Sequence, residues 1–237
     1  MRLWTIQPLE VLEIIKQEGE FVCNPNYSDP DFKRAYHWLV KQMDNRGIEH
    51  PYGLELPIWA WYKTEWENKK PDLEQEDFSS NRNNLVCIEL EINDKDVLLT
   101  DFYAWHYVLN DSFLDSSHDE KEWDLQHEWY DALTPEKRQI VKEESWNDIF
   151  NITPTQNEWI ARGREVQAVF WKITKEMIKG YESIFIIKWT NFIILLKYNL
   201  TQHGIYSLIN GYTSMSIRKA YLTLLVLYCE DIMKMVK

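Results

Sequence analysis

VLLTDFYAWHYVLN, Val97 to Asn110, changes character within fourteen residues. It opens as an apolar β-rich run and passes through Asp101. Trp105, His106 and Asn110 follow Asp101 within ten residues. One reading makes the stretch a joint, a strand, VLLTDF (97–102), passing into a helix. Asp101 is placed to accept backbone N–H groups at that joint, and Asn110 to end the helix. A second reading of the same residues makes Asp101, His106 and Asn110 a polar lining beside Trp105. His106 can then hydrogen-bond a ribose or phosphate, or move a proton near neutral pH.

Working outward, LVCIELEI (85–92) precedes this stretch across the turn NDKD, which predicts a hairpin of 85–92 with 97–102. LWTI (3–6) reads as the first strand. Pro8 opens a helix that presents Leu9, Leu12 and Ile15 and stops at Gly19. A second helix has Asp29 as its cap, Pro30 at its start and a stripe of Phe32, Ala35, Tyr36, Leu39, Val40 and Met43. PIWAWY (57–62) is a strand with Trp59 and Trp61 on one face and Ile58, Ala60 and Tyr62 on the other. The acidic stretch 111–132 reads as a solvated excursion with little helix. Thr134-Pro135 begins a helix to Phe150 that carries Ile140, Val141, Trp146 and Ile149, and EVQAVFWKI (165–173) is a strand before a short helix capped by Thr174.

These elements make an α+β domain over 1–187, a small mixed or antiparallel sheet braced by helices. Residues 188–237 hold six Lys or Arg against two acids, a net +4, which leaves −16 of the −12 total for residues 1–187. The contrast marks 188–237 as a helical C-terminal extension.

The totals narrow the classes of function. A net charge of −12 argues against a whole-protein grip on nucleic acid, though a local basic groove is compatible with it. Three cysteines, far apart and without CxxC, predict neither a disulfide framework nor a zinc site, and no metal is expected. No signal-peptide core and no run of about eighteen apolar residues occurs, so a cytoplasmic chain without a membrane span is expected. With only seven Gly, no phosphate loop is present, nor any HExxH or GxSxG spacing. Twelve Trp and thirteen Tyr offer rings for cores or for stacking on flat ligands.

LWTIQ, AYHWLVKQM, LPIWAWY, KPDL, the LVCIELEI–VLLTDFYAWHYVLN pair, SWNDIF and VQAVFWKI occur in one series. The series resembles a bacterial family, number 3841 among the domains of unknown function, over about 1–187. Two positions depart from that family's pattern. Glu74 follows KPDL where an arginine is usual, and Thr100 stands where serine is usual.

REVQAVFWKI is also similar to the Glu/Gln-x-Glu element of ADP-ribosyltransferases, with the carboxylate, Glu165, and Gln167 in exchanged positions. That superfamily starts with a strand bearing Arg or His, then a helix, then an aromatic strand. Arg2-Leu3-Trp4-Thr5, the helix at 8–18 and PIWAWY follow the same order. The likeness implies NAD as substrate and a macromolecular acceptor. Arg2, Trp4, Thr5 and Asp101 would then bind NAD, Trp59, Trp61 and Tyr62 would wall the pocket, and Glu165, Gln167 and His106 would serve catalysis. The other reading is a non-catalytic module whose aromatic cleft holds a nucleotide, peptide or partner protein. A solvated strand edge at Glu165 and aromatic core packing for the tryptophans stand beside both.

Overall fold

A computed structural model describes residues 1–24, 30–48, 50–54, 56–73, 84–157, 159 and 161–184. The extension at 188–237, the Asp29 cap and Glu74 lie outside the described residues. The fold is α+β. β1 (Arg2–Pro8) leads into α1 (Leu9–Glu18) and the short β2 (Glu20–Val22), and α2 (Lys33–Asn45) precedes β3 (Ile58–Lys63) and β4 (Leu85–Glu91). β5 (Leu98–Asp101) runs into α3 (Phe102–Leu109), followed by α4 (Glu120–Asp131) and α5 (Pro135–Ser145). The pairs β6 (Thr155–Gln156) and β7 (Ala161–Arg162), β8 (Val166–Phe170) and β9 (Lys172–Thr174), then β10 (Ile178–Ile184) complete the order.

Six strands form one sheet in the order β10-β4-β1-β3-β8-β5, antiparallel at every step. Side-chain alternation divides it into two faces. Leu3, Ile58, Ala60, Ile88, Leu90, Ala168 and Phe170 pack with Val11, Leu12 and Ile15 of α1. On the other face Trp59, Leu98 and Val169 meet Ala35, Leu39 and Met43 of α2, Trp105 and Val108 of α3, and the buried Trp146 and Ile149. The period-2 strands and the α2 stripe therefore found their partners on opposite sides of one sheet.

The expected hairpin of β4 with β5 does not form. β4 spends its edges on β1 and β10, while β5 lies at the far end of the sheet on β8. NDKD lacks the positive-φ pair that a tight hairpin turn requires, and Asp94–Asp96 instead make a 3-10 turn. Three other elements also differ from expectation. The acidic segment contains a real helix, α4, capped by Asp119, whose side chain accepts the Glu122 N–H at 2.9 Å; none of its residues is buried. Ile140 is exposed, not part of the α5 stripe. The strand at 165–173 breaks at Trp171, whose indole N–H reaches the Ile48 carbonyl at 3.1 Å while the chain turns away to pair with β2.

Candidate functional site

The register aligns Glu89, Trp4, Trp61, Gln167 and Thr100 in one row across β4, β1, β3, β8 and β5. The row lies on the same face as Trp59 and Val169, two residues along their strands. Arg2 shares it. Its Nε donates to Glu89 at 2.6 Å and its guanidinium lies 5.5 Å from the centre of the Trp4 ring. Three strands far apart in the chain thus bring Arg2 and Trp4, Trp61, and Gln167 side by side.

Trp61 forms part of the wall of a cleft of about 900 Å³. Its ring meets Phe102 at 5.2 Å, and Phe102 meets His106, one helical turn on, at 4.7 Å. His106 Nδ1 lies 2.8 Å from the Phe102 carbonyl. A carbonyl only accepts, so this bond places the proton on Nδ1 and leaves Nε2 as the acceptor of the neutral ring.

Glu165 stands in the same cleft, immediately before β8. Its side chain is 14% exposed, and one carboxylate oxygen accepts the Glu65 N–H at 3.0 Å, with Arg164 Nε 3.6 Å away. Burial pushes its pKa above the ordinary carboxylate value, against the lowering effect of the Glu65 amide and Arg164. The facing turn is unusual. Glu65 and Trp66, neither of them glycine, have φ of 51° and 72°. The turn is held by Trp66 N–H to the Arg164 carbonyl at 2.9 Å, and Asn68 carries the tie on to the Arg2 carbonyl at 3.0 Å. Two ion pairs also line the cleft, Lys69 with Glu65 at 2.8 Å and Lys70 with Glu182.

Not every candidate residue reaches this cleft. Thr5 is fully buried on the α1 face, its hydroxyl donating to the Trp59 carbonyl at 2.7 Å. Tyr62 packs on that same side. Trp59 is wedged between Tyr36 and Trp105, 5.2 Å from the latter, so Trp61 alone of the three aromatic residues at 59–62 lines the cleft. Asp101 closes the joint named at the outset. Its carboxylate accepts the Ala104 N–H at 3.0 Å and the Gly163 N–H at 2.7 Å, and it is buried. Both oxygens are thereby occupied, which fits the capping reading. Phe102, Arg164 and the Glu65 turn were missed. The i,i+4 spacing of Phe102 and His106 was a readable signal, whereas nothing local in Thr64–Glu67 announces positive φ. Among the described residues no group of three or more His, Cys, Asp or Glu is arranged to hold a metal ion, and no helix is long and apolar enough to cross a membrane.

The chain belongs to the family defined as a domain of unknown function (DUF3841), which matches residues 2–179. The match ends inside β10, so it takes in the whole of the row and every lining residue of the cleft but Glu182. No curated protein matches the chain.

Proposed function

We propose that the cleft binds NAD and breaks its nicotinamide–ribose bond, passing ADP-ribose to a macromolecule in the manner of ADP-ribosyltransferases. One observation supports this above the rest: β1, β3 and β8 are consecutive in the sheet, so Trp61 and Glu165 line one cleft, with Arg2 and Gln167 on the same face beside it but outside its lining.

In the reaction the electron pair of the glycosidic bond leaves with nicotinamide, and the ribose carbon takes on positive charge. A carboxylate shielded from water stabilises that charge far better than one in bulk solvent. Glu165 fills this role, since Gln167 occupies the position where the transferases carry their final glutamate. The acceptor's nucleophile then bonds to the ribose carbon and gives up its proton, for which His106 Nε2 is the available base. The Trp61–Phe102 wall offers a surface for a flat ring. Arg2 meets a pyrophosphate only by exchanging Glu89 for it.

The test is nicotinamide release from labelled NAD. Glu165→Gln is expected to lower it by about 10²–10³-fold, the usual cost of one preorganised transition-state contact. Equal release by wild type and Glu165→Gln would overturn the assignment. A second reading draws on the Glu165–Glu65 bond: a carboxylate already tied to a backbone amide suits a module that binds without turnover. In that case Trp61→Ala weakens nucleotide binding, Glu165→Gln leaves it unchanged, and no nicotinamide appears.

A further inference from the structure

The exposed side of α2 is basic in a chain that is otherwise strongly acidic. Lys33, His37 and Lys41, spaced by four, form one row along the helix and line a groove of about 550 Å³. Among the described residues no carboxylate pairs with Lys33 or Lys41. From Lys33 to Lys41 the row spans about 12 Å at 1.5 Å per residue.

Aromatic rings accompany the charges. Trp38 lines the groove and stacks on Phe150 at 5.8 Å with 11° between the planes. Arg46 lies 3.9 Å above the Phe150 ring and continues that stack. Arg34 sits 5.5 Å from the Trp146 ring. The groove's acids are Asp31 and Glu143, and Glu143 is committed to Arg34 at 2.9 Å.

Cations spaced along a helix beside stacked rings are what a single-stranded nucleic acid needs. The backbone is met by charge, and a base exposed by the lack of a second strand can stack on Trp38, the partly exposed ring that lines the groove. A duplex would use only the charges. We infer that the α2 groove binds single-stranded nucleic acid. If the cleft transfers ADP-ribose as proposed above, that strand is the acceptor; this last clause rests on that reading, and the binding does not.

The experiment titrates the full chain, without NAD, into a labelled oligothymidylate of about 15 nucleotides, within the site sizes of single-strand binders. Anisotropy and tryptophan quenching are both followed. With about three phosphates neutralised, the slope of log K on log salt should be near −2, or about sixteenfold weakening between 50 and 200 mM salt. Lys33→Ala/Lys41→Ala should lose tenfold or more, while Lys121→Ala on α4 should change nothing. Circular dichroism should stay unchanged in both, since these lysines are exposed. The inference is overturned by an absence of binding, by a double variant that binds like wild type, or by polyphosphate binding as tightly as the oligonucleotide. When labelled NAD is then added to the oligonucleotide-bound protein, binding without nicotinamide release would sink the transferase reading alone.

Discussion

The carboxylate of Glu165 accepts the backbone N–H of Glu65, whose own φ is 51°. A half-buried acid and a left-handed turn residue therefore hold each other in place. A non-glycine residue in that region costs about 1–2 kcal/mol, which glycine does not incur. Glu65→Gly should accordingly raise stability by about 0.5–1 kcal/mol after the greater freedom of the unfolded chain is deducted. The Glu65–Lys69 pair lost in the exchange is exposed and contributes little. Denaturant unfolding measures this, and a loss of stability would show that the turn is unstrained.

The pH dependence of that same carboxylate has a definite sign. Burial raises its native pKa, so in the window above the unfolded value of about 4.3 the native state holds the proton more tightly. Its contribution to stability is complete below the unfolded value and disappears as pH rises through the raised native one. Comparing wild type with Glu165→Gln across this window, the variant should gain on wild type with rising pH and then level off. A difference that ignores pH would mean that the acid titrates normally.

Asp101 and Gly163 form a second clasp between β5 and the loop before β8. Asp101→Ala removes a helix cap and strands the buried Gly163 N–H, an expected loss of about 2–4 kcal/mol. At Gly163, φ is 74°, and an added Cβ would come within 2.5 Å of the Ile152 carbonyl oxygen. Gly163→Ala should therefore cost more than the left-handed conformation alone, above about 1–2 kcal/mol. The two sites share one hydrogen bond, so the double variant should lose less than the sum of the singles. Strict additivity would break the link.

The strand-to-helix joint at 97–110 was readable because its signals are local. An apolar β-rich run, an acid at its boundary and an asparagine to end the helix need only neighbours a few residues away, and α1, α2 and β3 were readable for the same reason. The pairing of strands was not. LVCIELEI and VLLTDF are adjacent in sequence, and which strand edge each pairs with is decided by the whole sheet. The candidate site divides along the same line. Alternation along PIWAWY put Trp61 and Trp59 on one face, yet only packing by α2 and α3 decided that Trp59 would be covered and Trp61 left at the cleft. Thr5 was read as a ligand for NAD because hydroxyls bind phosphates and ribose. Its neighbours Leu3 and Gln7 point to the same face, and α1 seals that face.

Thr100 illustrates a polar group that the fold does not use. It is fully buried, and its hydroxyl has no hydrogen-bond partner among the described residues. An unmet buried hydroxyl costs about 1–3 kcal/mol. Thr100→Val keeps the shape and removes the hydroxyl, so stability should rise by about 1 kcal/mol. Nicotinamide release, should the cleft catalyse it, should stay the same. A fall in release with unchanged stability would instead give the hydroxyl a part in the site.

Cys87 tests whether the sheet opens as a unit. It is buried beside Trp4 at the β1–β4 pairing, and burial pushes its thiol up to about 11, partly offset by Lys70. At pH 8 only about one molecule in a thousand then carries the reactive thiolate, against roughly a quarter for a thiol of ordinary pKa. The central strands must separate before a reagent reaches it. Alkylation with iodoacetamide at pH 8, read by peptide mass so that Cys87 is followed separately from the other cysteines, should be negligible in the native protein. In denaturant its rate should rise along the global unfolding curve. Rapid labelling under native conditions would mean that β4 detaches locally, and the row from Glu89 to Thr100 would then lack the rigid support that the proposed chemistry requires.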